Sequence, residues 1–260
     1  MLTELFAEAV VAKWLFALLR TSGIIFFAPI FGNEAVPLQV RAAFTLLVTA
    51  LLGPTLDNVS IPVPATLFGF VGIAVAELLI GMAIGFVARA FFAAFLFGAQ
   101  LMDFQVGFAM VNILDPELGT QVSLLAVVTN IMAILLFLAG NGHHWFLMAA
   151  RDSFALLPIG EAHIGAGVME LLIRVGGSIF ALGLQVSSPI LVVLILLDLA
   201  MGLIARTVPQ IQILIVGFPL KIGGGMIVFS MSLAAFSAVM KSGFRQILEQ
   251  IGETLRLLAF

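Results

Sequence analysis

Asp103-Phe-Gln-Val-Gly-Phe-Ala-Met-Val-Asn-Ile-Leu-Asp-Pro-Glu-Leu-Gly119 interrupts two strongly apolar segments, yet carries no charge from Phe104 to Leu114. A connection bathed in solvent is normally polar, so an uncharged interior predicts a stretch wrapped in protein. Asp103, Asp115 and Glu117 bracket an apolar tip of Phe108, Met110, Val111 and Ile113 that contains Gly107, and Pro116 follows Asp115. Irregular backbone amid membrane-like sequence persists only where protein buries it or where it lines an aqueous path. Two readings follow: an ordinary connection between spans, or a segment sitting in a pore. In both, the flanking segments are membrane helices, and the fold class is all-α.

Composition agrees. The chain has 260 residues, 62% hydrophobic and 10% charged, with a mean hydropathy of +1.24. Soluble domains average about 45–50% apolar and about 25% charged. This composition is that of an integral membrane protein or the core of a membrane complex. There are 24 Phe and 11 Met but no Tyr, and only two Trp. The aromatic belt of a lipid-facing surface is nearly missing, which suggests a surface covered by partners. A net charge of −3 without a basic run points to no nucleic acid or headgroup partner. Without cysteine there are no disulfides, thiolate metal sites or Cys nucleophiles. The first residues, with Glu4 and Glu8, lack the positive n-region of a removable signal peptide.

Outward from the central stretch, the chain reads as long helices. Leu5 to Ile30 is one apolar segment ending at Pro29, with Gly32-Asn33 as a turn signal. It holds Lys13 and Arg20, two turns apart on one face, a costly pair in lipid unless packed on protein. Pro37 opens a short second segment, Leu38 to Leu52, closed by Gly53-Pro54. Ala65 to Met102 has no proline and predicts a helix of roughly 57 Å, nearly twice a bilayer core. Glu77 and Arg89 lie inside it, and Gly81-Met-Ala-Ile-Gly85 is a GxxxG that implies close helix contact. As charges inside apolar helices, Arg20, Glu77 and Arg89 should find partners on neighbouring chains or helices.

After the central stretch, Gly140-Asn-Gly142 splits an uncharged segment into a helix up to Leu138 and a shorter one from His143 to Leu157. Ala166 to Ala205 predicts a long helix kinked at Pro189, and about Ile213 to Leu258 a second. The connection between them, around Arg206 and Pro209-Gln210, makes an antiparallel hairpin. The last part is amphipathic, with Phe244, Ile247, Leu248, Ile251 and Leu255 on one face. Hydropathy alone counts about six spans.

Catalytic chemistry is scarce. His143-His144 has no third ligand at metal spacing, and Gly223-Gly-Gly225 lacks the Lys-Ser/Thr of a phosphate loop. No GxSxG or GxGD site occurs, and the acids Glu77, Asp103, Asp115, Asp152, Glu170 and Asp198 stand singly. No cofactor is expected, and an enzyme is disfavoured. Single intramembrane acids could serve a proton- or ion-coupled secondary transporter, or could pair with partner helices.

At Arg206-Thr-Val-Pro209-Gln210, with Gly217-Phe-Pro219 and Lys221 following, the sequence resembles the FliR family of flagellar export-gate membrane proteins. Other landmarks match in order: Arg20, Pro29-Ile-Phe-Gly32, Pro37 and Arg41, Glu77 with Gly81 and Gly85, then Asp103, Gln105, Gly107 and Asp115-Pro116. The resemblance covers essentially the whole chain. It implies a helical hetero-oligomeric export gate with P-type and Q-type subunits (FliP, FliQ), a B-type switch protein (FlhB) and exported unfolded flagellar proteins as partners. Residues 1–160 would correspond to a P-type subunit and 161–260 to a Q-type hairpin. The implied location is the bacterial inner membrane at the flagellar basal body, with part of the helices on the periplasmic side. The stretch from Asp103 to Gly119, with Gln105, Gly107, Phe108, Met110, Val111, Asp115 and Pro116, would lie in the channel and help to close it. Arg206, Pro209, Gln210, Pro219 and Lys221 would form a cytoplasmic hairpin turn. A transporter would instead need inverted repeats, and the two halves differ in helix length and charge placement.

Overall fold

The computed structural model describes residues 2–32, 36–56, 66–107, 123–161, 166–208 and 213–259. All the regular structure among them is helical: α1 (Leu2–Phe27), α2 (Leu38–Leu51), α3 (Gly53–Leu56), α4 (Leu67–Val106), α5 (Leu124–Ala139), α6 (Gly142–Leu156), α7 (Ala166–Thr207) and α8 (Ile213–Ala259). α1 stops two residues before Pro29, whose ring disfavours helical backbone in the residue ahead of it. Asn141 takes a left-handed conformation, φ 55°, and turns the chain between α5 and α6.

The chain is an all-α integral membrane protein. Segments of α1, α4, α7 and α8 are long and apolar enough to cross a bilayer. α5 and α6, bent by 68° to each other, make at most one broken span. Among the described residues, then, four or five candidate spans stand against about six expected from hydropathy. The excess arose because α2 has 14 residues, about 21 Å of helix against a hydrocarbon core of about 30 Å. α4, with 40 residues, runs about 60 Å. Pro189 and Pro219 both sit inside continuing helices. Pro219 and Lys221, expected in the hairpin turn, belong to α8, which is already helical at Ile213. A proline removes one backbone hydrogen bond, and the flanking bonds carry the helix past it.

The chain clusters into two compact units, each built from separate stretches. The first comprises Met1–Phe91, Asn141–Gly176 and Phe244–Phe260, the second Phe92–Gly140 and Gly177–Gly243. In the first, α1 and α4 meet backbone to backbone. A Cβ on Gly81 would overlap the carbonyl oxygen of Arg20, one on Gly23 would lie 2.7 Å from that of Leu78, and one on Gly85 2.5 Å from Phe27 Cβ. The GxxxG is thus a contact within the chain. Phe16 and Ile24 of α1 and Ile80 and Ile84 of α4 are all buried. Ile247, Ile251 and Leu255 of the predicted amphipathic face are buried; the side chains of Phe244 and Leu248 lie outside the described residues.

In the second unit α4 packs on α7 through Gly98 and Gly183, where a Cβ on Gly98 would come within 2.7 Å of the Gly183 carbonyl. Phe95 meets Phe236 edge-on at 4.8 Å between ring centroids, and Phe92 meets Phe137 at 5.4 Å. Large side chains on α7 and α8, among them Leu184, Ile195, Leu199, Ile227 and Met231, are exposed.

Candidate functional site

Among the described residues each unit holds a polar cluster, fully buried in the first and partly exposed in the second. In the first, Arg20 donates from Nε to Glu77 Oε2 at 2.5 Å, and both side chains are fully buried. Its Nη1 donates to the carbonyls of Ser153 (2.9 Å) and Leu157 (2.8 Å) at the end of α6. A helix C-terminus carries unpaired carbonyls and partial negative charge, so it suits a cation. The guanidinium lies 4.5 Å from the centre of the Phe154 ring, and Glu77 Oε1 accepts from the Gly160 backbone N–H at 3.1 Å. Gly160, at φ 83°, adopts backbone that favours glycine. One arginine thus joins α1, α4 and the end of α6.

The second cluster is the stem of the central stretch. The Asp103 carboxylate accepts from Ser123 Oγ and from the backbone N–H groups of Leu125 (3.1 Å) and Ala126 (3.2 Å). Ser123 occupies the N-cap of α5 but makes no capping bond with its own side chain. Asp103, twenty residues earlier in sequence, does the capping instead. The described residues on either side of 108–122 are therefore tied directly together. Gln105 Nε2 donates to Asp198 Oδ2 on α7 at 2.9 Å, and Lys221 Nζ on α8 lies 2.5 Å from Asp198 Oδ1. Gly107, at φ 99°, ends α4 with the Phe218 ring where a Cβ would otherwise sit, 2.8 Å away.

Losing the Asp103 cap should matter. Asp103→Ala removes the acceptor of two first-turn N–H groups, at about 0.5–2 kcal/mol for a cap of this kind. Faster amide hydrogen exchange at Leu125 and Ala126 than in the parent is the expected result. Unchanged exchange would show that Ser123 takes over.

The structure brings Arg20 and Glu77 together, and separately Asp103, Gln105 and Gly107. Arg89 is exposed on α4 and has no carboxylate partner among the described residues. Arg206 is exposed in the last turn of α7. Phe108, Met110, Val111, Asp115, Pro116, Pro209 and Gln210 lie outside the described residues. The sequence does not mark Ser153, Leu157 and Gly160 as partners of Arg20 and Glu77, since their backbone groups make the contacts. For the Asp198–Lys221 pair it does hold a signal. Each lies eleven residues from Pro209-Gln210, so an antiparallel hairpin sets them side by side. Among the described residues no group of three or more His, Asp or Glu is placed to hold a metal.

A helical membrane protein with a buried, paired charge inside its apolar packing is the class these features define. The model of a family described as "Bacterial export proteins, family 1" matches residues 11–247. The chain is 34% identical over 209 residues to the flagellar biosynthetic protein FliR of Escherichia coli K12, covering 80% of this chain and 79% of that one. It is 30% identical over 250 residues to FliR of Bacillus subtilis 168, covering 94% and 95%. FliR of Pectobacterium carotovorum is 30% identical over 251 residues, covering 96% and 95%. The chain belongs to this bacterial export family, that of FliR.

Proposed function

We propose that the protein is a core membrane subunit of the flagellar protein export gate, and that residues 108–122 help to close its channel. The observation that carries this reading is the stem: Asp103 ties together the residues on either side of a stretch that is uncharged and Phe- and Met-bearing from Phe104 to Leu114. A channel for unfolded polypeptide must block ions yet yield to a chain. Large apolar side chains on a fixed base do this by steric filling and dewetting, with Phe108, Met110 and Val111 at the tip and Asp115-Pro116 behind it. The partners in this reading are P-type and Q-type subunits and a B-type switch protein. Residues 1–160 correspond to the P-type chain and 161–260 to the Q-type hairpin, whose connection at Pro209-Gln210 faces the cytoplasm. Exposed Arg89 and the exposed apolar faces of α7 and α8 suit a chain that neighbouring subunits cover. Nothing favours a secondary transporter over this reading.

The test is a shortened loop. Val106 is fully buried, against Gly225 of α8, so the excision begins beyond it and removes residues 109–113. Cells carrying this variant should assemble the complex at parental yield and leak small ions. Phe108→Ala should leak less, because one ring is a fraction of the filling. An intact complex with unchanged ion conductance would overturn the closing role.

A further inference from the structure

The stem is also tied to the helical hairpin, and that second tie serves no purpose in a simple helix pair. Asp198 sits on α7 with both carboxylate oxygens engaged: Oδ1 by Lys221 of α8 at 2.5 Å, Oδ2 by Gln105 of α4 at 2.9 Å. Gln105 is the residue but one before the positive-φ glycine at which α4 ends. Phe218, one turn ahead of Lys221, presents its ring to that same glycine. α8 therefore meets the start of the loop twice, once by a ring on Gly107 and once through Asp198.

We propose that Asp198 and Lys221 are positioning residues for the loop: together with Gln105 they form a latch that fixes where residue 107 releases the chain. Lys221 orients the Asp198 carboxylate, and its free oxygen then accepts from Gln105. A neutral amide bonded to an ionised acceptor is stronger than one between neutral groups. A displacement of α7 reaches Gln105 through one hydrogen bond, and one of α8 through the ion pair and that bond. Asp103 plays a different part, since it joins the described residues on either side of 108–122 without reference to the hairpin. The inference rests on the reading of residues 108–122 as a channel-closing loop only for its consequence; the latch itself can be measured apart from it.

The experiment uses the complete complex in detergent. The chain has no native cysteine, so nitroxides can be placed at Leu114→Cys and at Gly202→Cys, where a Cβ meets nothing within 4 Å. The distance distribution between them is recorded by pulsed electron resonance, and ion conductance is measured on the same preparations. In Gln105→Ala, Asp198→Asn and Lys221→Met the distribution should broaden, with the population outside the parental peak rising about tenfold. Lys221→Arg, which keeps the cation, should restore the parental width. If Asp198→Asn yields no complex, Gln105→Ala decides, because it leaves the hairpin's ion pair intact. Unchanged distributions in Gln105→Ala and Lys221→Met would overturn the latch, as would an equal broadening in Lys221→Arg. A broadened distribution with parental conductance upholds the latch and counts against channel closure. Parental distributions beside a leaking loop-excised variant uphold closure and sink the latch.

Discussion

Glu77→Ala is expected to destabilise the first unit by about 3–5 kcal/mol, the usual cost of leaving a buried charge without its partner. Arg20 is fully enclosed and makes its shortest bond to this carboxylate, and it has no route to water. Two carbonyls remain as acceptors, which softens the loss without neutralising the charge. The Gly160 N–H is orphaned at the same time. In a chain of this size the midpoint of thermal unfolding should fall by roughly 10 °C, read on the detergent-solubilised complex. Replacing both partners with methionine should recover much of the loss, because a buried pair is worth little more than well-packed apolar side chains. A midpoint within about 2 °C of the parent for Glu77→Ala would contradict a load on this pair.

The second large effect belongs to Gly81. A single added carbon there overlaps the carbonyl oxygen of Arg20 and stands 3.0 Å from the Ile24 nitrogen. Both are backbone atoms, so no side chain can swing aside. Gly81→Val must push α1 off α4, and the Arg20–Glu77 bond stretches with it. Overpacking typically costs about 1–3 kcal/mol, and the coupled ion pair places this site at or above the upper end. Gly72 of the same helix is the control, since a Cβ there meets nothing within 4 Å. Gly72→Ala should be neutral or stabilising by up to about 1 kcal/mol. Equal unfolding midpoints for Gly81→Val and Gly72→Ala would show that the close approach is not what sets stability.

The helices were legible where local rules govern them. Pro29, Gly140-Asn-Gly142 and the positions around Pro209-Gln210 fall at or beside breaks between helices, and Ile247, Ile251 and Leu255 form the buried face their spacing promised. The residue pattern already carries the last helix through Pro219, and only the resemblance drew Pro219 and Lys221 into the hairpin turn; the helix continues past that proline. The span count misled because hydropathy registers apolar runs without asking whether each is long enough. Arg20 and Glu77 were singled out as charges in need of partners, but their partnership is a tertiary fact across 57 residues. Asp103 was read as an acidic bracket of the loop. Its capping of α5 was out of reach, since capping rules look for a residue adjacent to the helix. Asp198 and Lys221 lie symmetrically about the hairpin connection, so the sequence does hold the basis of their pairing.

The Arg20–Glu77 pair also sets a clock on the chain's synthesis. α1 leaves the ribosome long before Glu77 exists, and at about 5–20 residues per second the 57-residue separation takes roughly 3–11 s. The carbonyls of Ser153 and Leu157 arrive later still, being 133 and 137 residues downstream of Arg20. Until then Arg20 is a lone cation on an apolar helix, disfavoured at mid-bilayer by about 2.5–3.5 kcal/mol on the insertion scale. The expected result is that α1 waits at a shallow depth, or against the insertion machinery, until α4 brings the counter-charge; crosslinking of nascent chains of increasing length would follow that move.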